Sequence, residues 1–552
     1  MLVDGKAGRP GRIVVDGPVV GGPAPATEGT ATEVVAAAIG AARRPTVLLT
    51  TEGTYPFILG GVSTWCDILV NGLTGVDWRV LPLTAGGLRR TSLFEFPFNV
   101  AITNHLDLWS ETVHPWNPFR SRRSDHIDLP GVLARGLLGW TTDPAELLEA
   151  LLWCRAEPSR IRLVFRSRVG WESFLSGLET VLDQPVDGVG AAPDLDVLQA
   201  TELYQSLYWV ARTASVDTTA VAPDALLVSA AGWAAIPAVV HRARHGTPMI
   251  LTEHGVYVRE AYLNAVRTGL TSGSRWSATR LAHGLARLAY SQADVIAPVA
   301  EANATWERAL GVDPAKIQTI YNGVLVPPRI VAAPRRKRVV SVCRVDPLKD
   351  VKTMLRAAAS VLADEPDVEF LHYGPVPEGG GKYKEECDAL HRELELGDRF
   401  RFMGGTDEPL EVVRMADVAF FSSISEGFPV SVLEAMACGR PVVATAVGGV
   451  PEALAGCGFT APPGAHEALA AGLLRLLRDD SLARDLGERG YARVARKFGK
   501  AACLEAYHRV LSDATGCAID APRLPVDEAG DLGLGPIDGD HGPARASIRG
   551  PK

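Results

Sequence analysis

The amino-acid sequence predicts an α/β protein with two doubly wound domains, each built around a parallel sheet. Short apolar segments alternate with longer helical patterns, which indicates βαβ units. This alternation runs through the first part of the chain and then restarts in the second. The chain also has 552 residues, more than one hydrophobic core usually supports.

The first domain is predicted from five apolar segments that are typical of buried strands: 46–53, 224–229, 248–255, 293–300 and 316–323. Between the first two of them, residues 90–220 break the alternation and carry most of the tryptophans. We interpret this region as an insertion that either binds an acceptor or caps the domain.

The second domain is predicted from five further strands at 338–345, 368–374, 399–405, 417–423 and 440–446. A proline-rich segment near Pro327 and Pro334 marks the boundary between the domains. Both ends of the chain are rich in glycine, proline and alanine, which is typical of disorder. We therefore expect an N-terminal domain at 45–326, a C-terminal domain at 327–495, a helix at 496–515 that packs back on the N-terminal domain, and disordered segments at 1–44 and 516–552.

Composition limits the classes of function. The net charge of −8 argues against a general nucleic-acid binder, which would normally be basic. None of the eight cysteines has C-x-x-C spacing, and scattered cysteines in a large chain indicate a reduced, cytosolic protein. The start of the chain shows no signal-peptide pattern. The longest apolar stretch, 225–240, is short for a membrane span and is interrupted by Gly232 and Pro237. We expect a cytoplasmic location.

Ligands of open α/β sheets bind beyond the carboxyl ends of the strands, so binding motifs should follow strands. After the first strand, Gly60 and Gly61 precede a helix that we expect to begin near Val62 or Ser63. Glycines allow close approach of the backbone to a ligand, and a helix start offers N–H groups to an anion. A plain turn is the alternative.

Two basic residues follow the first strand of the second domain. Arg344 comes at the strand end and Lys349 five residues later. Together they suit a diphosphate, which the arginine would hold by its fork and the lysine as a point charge. The alternative is a solvated basic pair next to Asp346 and Asp350.

The stretch SEGFPVSVLE presents one glutamate in a loop and a second one in a helix. The backbone N–H groups near Gly427 and Phe428 are free for oxygen acceptors, and Pro429 suits the first helical turn. Glu434 lies about five residues into the helix, roughly 7.5 Å along its axis, so Glu426 and Glu434 should hold different parts of one ligand.

A carboxylate that accepts from vicinal hydroxyls suits a sugar or a ribose. Surface charges are the alternative for both glutamates. However, Glu434 lies in a strongly apolar helix, where an unpaired charge would be costly.

Two further strand ends are weaker candidates. His254 could donate to a sugar hydroxyl or move a proton, or it could be a structural histidine. Gly374 lies in a turn that could frame a flat base, or in an ordinary loop. No G-x-G-x-x-G or G-x-x-x-x-G-K-[ST] motif is present, which argues against dinucleotide redox chemistry. The D-x-D of Asp194 and Asp196 precedes a helical pattern and is interpreted as a cap.

Taken together, these residues resemble the retaining glycosyltransferases of family GT4, which have the GT-B fold of two Rossmann-like domains facing across a cleft. Glu426 and Glu434 match the E-x7-E motif of that family, and Arg344 and Lys349 match its phosphate-binding pair. The glycine pair at 60–61 matches its N-terminal loop. The resemblance covers about 46–512. Within the family, EGTYPFILGGVSTW, LTEHGVYVRE, RVDPLKDVKTM and SISEGFPVSVLEAM look like the PelF type.

The resemblance implies a hexosyltransferase that uses a nucleotide sugar, often UDP-glucose, and a saccharide acceptor in polysaccharide synthesis, together with a membrane-bound synthesis partner. The C-terminal domain would bind the donor. Glu434 would hold the ribose, and Glu426, with the backbone of the next two residues, would hold the donor sugar. Arg344 and Lys349 would neutralise the diphosphate, so neither a cofactor nor an essential metal is expected. His254 would contact the donor sugar near the reacting carbon.

The resemblance also implies that Gly61 brings its backbone to the phosphates. No residue stands out as a covalent nucleophile, which fits front-face retention. Two alternatives stay open at this point. One is another enzyme class, a GT-B phosphorylase or a nucleotide-sugar epimerase. The other is a non-catalytic, nucleotide-binding subunit of an assembly.

Overall fold

The computed structural model describes residues 43–85, 91–110, 128–139, 144–183, 193–329, 336–377 and 379–523. Nearly all of the predicted arm at 1–44 and most of the predicted tail at 516–552 lie outside the described residues. The same is true of parts of the predicted insertion.

The first sheet contains seven parallel strands: β1 (Thr46–Glu52), β2 (Asp77–Ala85), β3 (Val100–Ile102), β4 (Leu106–Leu108), β5 (Ala225–Val228), β6 (Met249–Glu253) and β7 (Val295–Pro298). The strand order is β3-β2-β1-β5-β6-β7, and β4 also pairs with β2. The order reverses between β1 and β5. The loops that follow these two strands therefore flank the switch point, where ligands of such sheets bind.

Ten helices accompany this sheet among the described residues: α1 (Gly61–Gly72), α2 (Leu129–Leu138), α3 (Pro144–Ala156), α4 (Pro158–Phe165), α5 (Arg168–Leu182), α6 (Val197–Ala214), α7 (Ala235–His245), α8 (Tyr257–Arg267), α9 (Ser272–Gln292) and α10 (Glu301–Ala309). The helices from α2 to α6 pack with α7 and α9 into one large apolar core on the sheet. Asp196 caps α6 through a capping box, so the D-x-D motif has a structural role.

The second sheet has six parallel strands in the order β10-β9-β8-β11-β12-β13. The strands are β8 (Arg338–Val342), β9 (Glu369–Tyr373), β10 (Phe400–Gly404), β11 (Val418–Phe421), β12 (Val442–Thr445) and β13 (Gly458–Ala461). Its helices are α11 (Val351–Asp364), α12 (Gly381–Glu393), α13 (Pro409–Arg414), α14 (Val430–Ala437), α15 (Val450–Leu454), α16 (His466–Arg478) and α17 (Asp480–Lys497). The predicted fold class, two doubly wound parallel sheets, is therefore confirmed.

One predicted strand of the first domain is wrong. Residues 316–323 form only an isolated bridge, between Ile317 and Ile296. The backbone N–H groups of Gln318 and Ile320 still donate to β7, at 2.9 Å each. The segment thus lies beside β7, at the edge of the first sheet, for a few residues, and the chain then continues into the second domain.

The last helix, α18 (Lys500–Thr515), returns to the first sheet. The Tyr507 hydroxyl lies 2.8 Å from the Thr252 hydroxyl on β6, and Leu504 packs on Gly72 of α1. The chain crosses between the domains twice, and the two crossings are bonded together. Val324 N–H donates to the Phe498 carbonyl and Lys500 N–H donates to the Val324 carbonyl, both at 2.9 Å.

Candidate active site

A lysine and a glutamate from two loops of the second sheet form the centre of the site. Lys349 Nζ lies 2.5 Å from Glu426 Oε1, and their side chains are 20% and 13% exposed. The Ser423 hydroxyl donates to the same Glu426 oxygen at 2.6 Å. Burial works against the ammonium charge, but the attraction to Glu426 outweighs it and raises the pKa of Lys349. A fixed cation therefore lies directly beside the loop carboxylate.

Arg344 follows β8 and supplies a second cation to the same region. Its side chain is exposed, unlike that of Lys349. Its charge is near enough to oppose slightly the rise in the pKa of Lys349 that Glu426 causes. The strand end thus presents one exposed and one largely buried positive charge, as an anion site requires.

Glu434 is the fifth residue of α14, and its carboxyl group has no hydrogen-bond or ionic partner among the described residues. Burial alone raises the pKa of its carboxyl from the ordinary value of 4.5 to about 7. The helix around it is apolar, with Val432, Leu433 and Ala435 fully buried. A half-buried carboxyl group without a protein donor is costly, and its hydrogen-bonding capacity is available to a ligand.

The glycine pair of the first domain lies against this helix. Helix α1 begins at Gly61, one residue earlier than the sequence indicates. A Cβ on Gly61 would lie 3.7 Å from Val430 of α14, so the loop meets the first turn of α14. A Cβ on Gly60 would have no atom within 4 Å. The open space at Gly60 lies at a helix start, whose first N–H groups have no intrahelical acceptor.

His254 meets the glutamate loop through its backbone. A Cβ on Gly427 would lie 1.7 Å from the His254 carbonyl oxygen, so only glycine fits between the domains here. The His254 ring packs edge-on against Trp65 at 4.6 Å, and both ring nitrogens are buried without a partner in the described part of the chain. Burial lowers the pKa of His254 to about 3, so the imidazole is neutral at neutral pH.

The glutamate that precedes His254 anchors the start of α8. Glu253 accepts from the Tyr257 backbone N–H at 2.7 Å and from the Tyr290 hydroxyl at 2.6 Å. Burial raises the pKa of the Glu253 carboxyl, and also raises that of its neighbour Glu307, to about 9. At neutral pH at least one of the two carboxyl groups of Glu253 and Glu307 is therefore protonated, beneath the loop that carries His254.

The remaining predicted residues differ in what they offer to a ligand. The Phe428 side chain is 4% exposed and packs between Tyr321 and Phe498, each at 5.1 Å, so only its backbone can face a ligand. Pro429 precedes α14 as its N-cap and is not part of the first helical turn. Gly374 packs against the backbone of the Arg344 loop, where a Cβ would lie 1.8 Å from the Cys343 carbonyl oxygen.

Two charged residues that the sequence did not single out connect the domains at this point. Arg259 Nη2 on α8 donates to the Glu426 backbone carbonyl at 3.2 Å and to Glu260 Oε1 at 3.1 Å. The Ser425 hydroxyl donates to the same Glu260 oxygen at 3.3 Å. The only signal in the sequence is their place a few residues after a buried strand, within LTEHGVYVRE.

In residues 43–523, apart from the gaps given above, no group of three His, Cys, Asp or Glu side chains is arranged to hold a metal ion. Within the same ranges, no helix has the length and apolarity needed to cross a membrane.

Comparison with family models matches both halves of the chain. Residues 327–493 match the family described as "Glycosyl transferases group 1". Residues 45–315 match a domain of unknown function, DUF3492. The boundary between the two matches lies in the same region as the crossing between the two sheets.

Curated proteins and solved structures provide relatives. An N-acetyl-alpha-D-glucosaminyl L-malate synthase of Bacillus anthracis is 29% identical over 251 residues, 42% of this chain and 62% of the relative. A D-inositol 3-phosphate glycosyltransferase of Mycobacterium sp. (strain KMS) is 36% identical over 155 residues, 26% of this chain and 34% of the relative. The chain thus spans about a third to three fifths of these relatives.

Among solved structures, the sucrose-phosphate synthase from Thermosynechococcus elongatus has a TM-score of 0.56 at 19% identity. That likeness covers 86% of this chain and all of that chain, and it shows the fold alone. The two facing parallel sheets are those of a GT-B protein. The chain therefore has the GT-B fold and carries a glycosyl transferases group 1 domain over residues 327–493.

Proposed function

We propose that the protein is a retaining hexosyltransferase of family GT4 that moves a sugar from a nucleotide donor to a saccharide acceptor. UDP-glucose is the proposed donor, and PelF-like exopolysaccharide synthesis in the cytoplasm is the proposed role. The group 1 domain at 327–493 supports the reaction class. A membrane-bound synthesis partner fits such a role, since the polymer must be exported.

In this proposal the C-terminal domain contacts the donor at its ribose and at its diphosphate. The ribose hydroxyls donate to Glu434, whose carboxyl has no partner in the described residues. The diphosphate lies between the cations of Arg344 and Lys349 and the helix start at Gly60 and Gly61. These groups supply the positive charge at the diphosphate, so the proposal includes no essential metal and no cofactor.

The donor sugar lies at the loop of Glu426. Its hydroxyl groups donate to that carboxylate, and the backbone of the next two residues completes the contact. The backbone of His254 contacts the Glu426 loop from the first domain, and its neutral ring adds no positive charge near the sugar. The bond between the anomeric carbon and the phosphate oxygen breaks while the acceptor oxygen attacks from the same face. The acceptor proton passes to the departing phosphate, which Lys349 stabilises.

One observation carries this proposal: the paired Lys349–Glu426 site and the unpaired Glu434 lie at opposite ends of one loop and helix turn. If Glu434 had only a structural role, burial of its unpaired carboxyl would destabilise the fold without any compensating contact. A ligand that brings anionic oxygens to one end and hydroxyl donors to the other satisfies both.

The test is a thermal-shift panel of the full chain with UDP, GDP, ADP and their glucose and N-acetylglucosamine conjugates. A nucleotide at about 100 times its dissociation constant stabilises the native state by about 2.7 kcal/mol. We expect a shift that is selective for UDP compounds and is lost in Glu434→Gln. The exposed Glu393 on α12 provides the matched control, Glu393→Gln, which should keep the shift.

Measurements of turnover distinguish a transferase from a phosphorylase, an epimerase and a binding subunit. UDP release from UDP-glucose that rises with added saccharide supports transfer. Sugar phosphate formed only with inorganic phosphate indicates a phosphorylase, and donor conversion without acceptor indicates an epimerase. A shift without turnover under any condition indicates a binding subunit. No shift with any nucleotide contradicts the donor site itself.

A further inference from the structure

Two fully buried glutamate side chains face each other beneath the loop of His254. Glu253 ends β6 and Glu307 lies on α10, and each residue is 0% exposed. Their carboxyl groups are within hydrogen-bonding reach of one another. Neither of them takes part in the donor contacts proposed above. Two ionised carboxylates this close in a buried site repel each other strongly, so the pair shares at least one proton.

The donors around the pair indicate which carboxyl group carries the proton. Glu253 accepts from the Tyr257 N–H at 2.7 Å and from the Tyr290 hydroxyl at 2.6 Å, and these two donors favour its ionised form. Neither oxygen of Glu307 has a donor among the described residues. A buried carboxyl group without donors is far less costly in its neutral form. The neutral Glu307 therefore donates its own O–H to the Glu253 carboxylate.

Helix α10 also holds the backbone at this strand end. Asn303 lies four residues before Glu307, on the same face of α10, and is 0% exposed. Its side-chain amide donates to the Glu253 backbone carbonyl at 3.2 Å. One helix face thus contacts Glu253 at its carboxyl group and at its backbone. The position of the strand end depends on both contacts.

The strand end in turn meets the glutamate loop of the second domain. A Cβ on Gly427 would lie 1.7 Å from the His254 carbonyl oxygen and 3.6 Å from Nδ2 of Asn303. Gly427 directly follows Glu426, which holds the donor sugar in the proposed mechanism. A continuous series of contacts therefore runs from Glu307 to the residue next to Glu426.

The other charged and titratable groups near the pair come from three helices and the loop. They are Arg259 on α8, Tyr290 on α9, Glu301 and Arg308 on α10, and His254. Burial lowers the pKa of His254 to about 3 and raises that of Tyr290 well above its ordinary value, so neither changes charge between pH 7.5 and 9.5. Burial and the charge of Glu253 raise the pKa of Glu307 to about 9. Of these groups, the carboxyl pair is therefore the one whose charge changes in this range.

We propose that Glu307 is a positioning residue for the transfer reaction. As a neutral acid it donates to the Glu253 carboxylate, and this hydrogen bond fixes the strand end that presents the His254 carbonyl to Gly427. Loss of the proton places a second negative charge in the buried site, and the repulsion displaces the strand end from the glutamate loop. Transfer is then lost in alkaline solution. The inference rests on the proposed transferase function and adds a reversible pH dependence to it.

Variants of Glu307 test this role through the pH profile of UDP release from UDP-glucose, with maltotriose, cellotriose and chitotriose as acceptors. Glu307→Leu removes the donor to Glu253, and UDP release at pH 7.5 should fall at least tenfold. Glu307→Gln replaces the acid O–H by an amide N–H that does not titrate. It should recover most of that loss at pH 7.5 and keep its activity at pH 9.5, where the wild type should have lost at least threefold.

Amide hydrogen exchange tests the same inference without any substrate. It is measured on the peptides that contain residues 253–257 and 424–428, and variants are compared with the wild type at the same pH. At pH 9.5 both peptides should exchange at least threefold faster in the wild type than in Glu307→Gln, and at pH 7.5 the two proteins should be equal. The matched control is Glu393→Gln at an exposed position of α12, which should follow the wild type at both pH values.

Two results overturn the inference. One is that Glu307→Gln loses activity in alkaline solution as the wild type does. The other is that its two peptides exchange like those of the wild type at pH 9.5. Both comparisons use only Glu307→Gln, so they decide even where Glu307→Leu does not fold. Absence of UDP release by the wild type at every pH contradicts the proposed transferase function instead, and the exchange comparison then decides the positioning role on its own.

Discussion

The guanidinium of Arg259 on the first domain donates to the backbone carbonyl of Glu426 on the second, at 3.2 Å. The Arg259 side chain is 13% exposed, and it also binds Glu260, which accepts from Ser425. The position of the glutamate loop therefore depends on the first domain. A loop that must present a carboxylate to a sugar is held in place only when the two domains meet.

Arg259→Ala should impair transfer by changing how Glu426 is presented. A hydrogen bond from a charged group contributes about 1.5–3 kcal/mol, which corresponds to about 10–100-fold in kcat/KM for the donor. Arg259→Lys should recover only part of the lost activity, because the lysine side chain is shorter and its ammonium lies farther from the two acceptors that Nη2 reaches. UDP binding should change less, since Glu434, Arg344 and Lys349, which we propose to hold the nucleotide, all lie on the second domain.

The control for this prediction lies on the same helix. Arg267 reaches Asp346 across the domains at 3.4 Å with its side chain 37% exposed. Asp346 is only 8% exposed, but it also accepts from the Leu348 N–H at 2.9 Å, so it keeps a partner when the long contact to Arg267 is removed. The loss should be about 1 kcal/mol, and Arg267→Ala should lower kcat/KM by less than about fivefold. Equal losses in the Arg259 and Arg267 variants would show that general domain contact matters, rather than the Glu426 loop.

Gly427→Ala should both destabilise the protein and abolish transfer. Its Cβ would lie 1.7 Å from the His254 carbonyl oxygen, which belongs to the backbone of a buried strand end. Inserting a methyl group into such a contact costs about 1–3 kcal/mol. Gly381→Ala is the matched control, because no atom lies within 4 Å of the added methyl at the start of α12. Urea unfolding compares the two, and unchanged stability of Gly427→Ala would mean that the domains separate freely in solution.

Glu434→Gln should stabilise the ligand-free protein at high pH. Burial raises the pKa of this carboxyl from 4.5 to about 7, so the ionised form is disfavoured in the folded state. The resulting penalty is absent below pH 4.5, grows as the pH rises to about 7 and stays constant above. The stabilisation should therefore reach about 1–3 kcal/mol at pH 8 and vanish at pH 4. Urea unfolding at both pH values measures it, and a difference that does not depend on pH would contradict the assignment.

The sequence predicted both parallel sheets, because alternating apolar strands and helices are a local signal, but it missed the strands β2, β3, β4 and β13. It also predicted the unusual position of Glu434, since a glutamate within VSVLEAMA conflicts with its neighbours. Contacts between distant parts of the chain could not be predicted. Arg259 and Glu426 are 167 residues apart, and no local pattern indicates that they meet.

The directions of side chains could not be predicted from the sequence either. The sequence assigned only the backbone of Phe428 to the ligand, and no local pattern showed that its ring packs in the core between Tyr321 and Phe498.

The Lys349–Glu426 pair allows stability to be separated from catalysis. Lys349→Met leaves the Glu426 carboxylate without its cation in a site where it is 13% exposed, which should cost about 1–3 kcal/mol, somewhat less than for a fully buried pair. Glu426→Gln keeps an oxygen that can accept from Ser423 and should cost less. In the double variant no charge is left unpaired, so its stability should recover toward the wild type.

Transfer activity, unlike stability, should not recover in the double variant. Each single variant should lower transfer by at least about 100-fold, because in the proposed mechanism Lys349 stabilises the leaving diphosphate and Glu426 holds the sugar. The double variant should remain as inactive as the worse single variant, although it is more stable than Lys349→Met. Urea unfolding and UDP release from UDP-glucose measure the two sides of this cycle. If the double variant regained activity together with stability, the pair would serve the fold alone, and the assignment of both residues to the donor would fail.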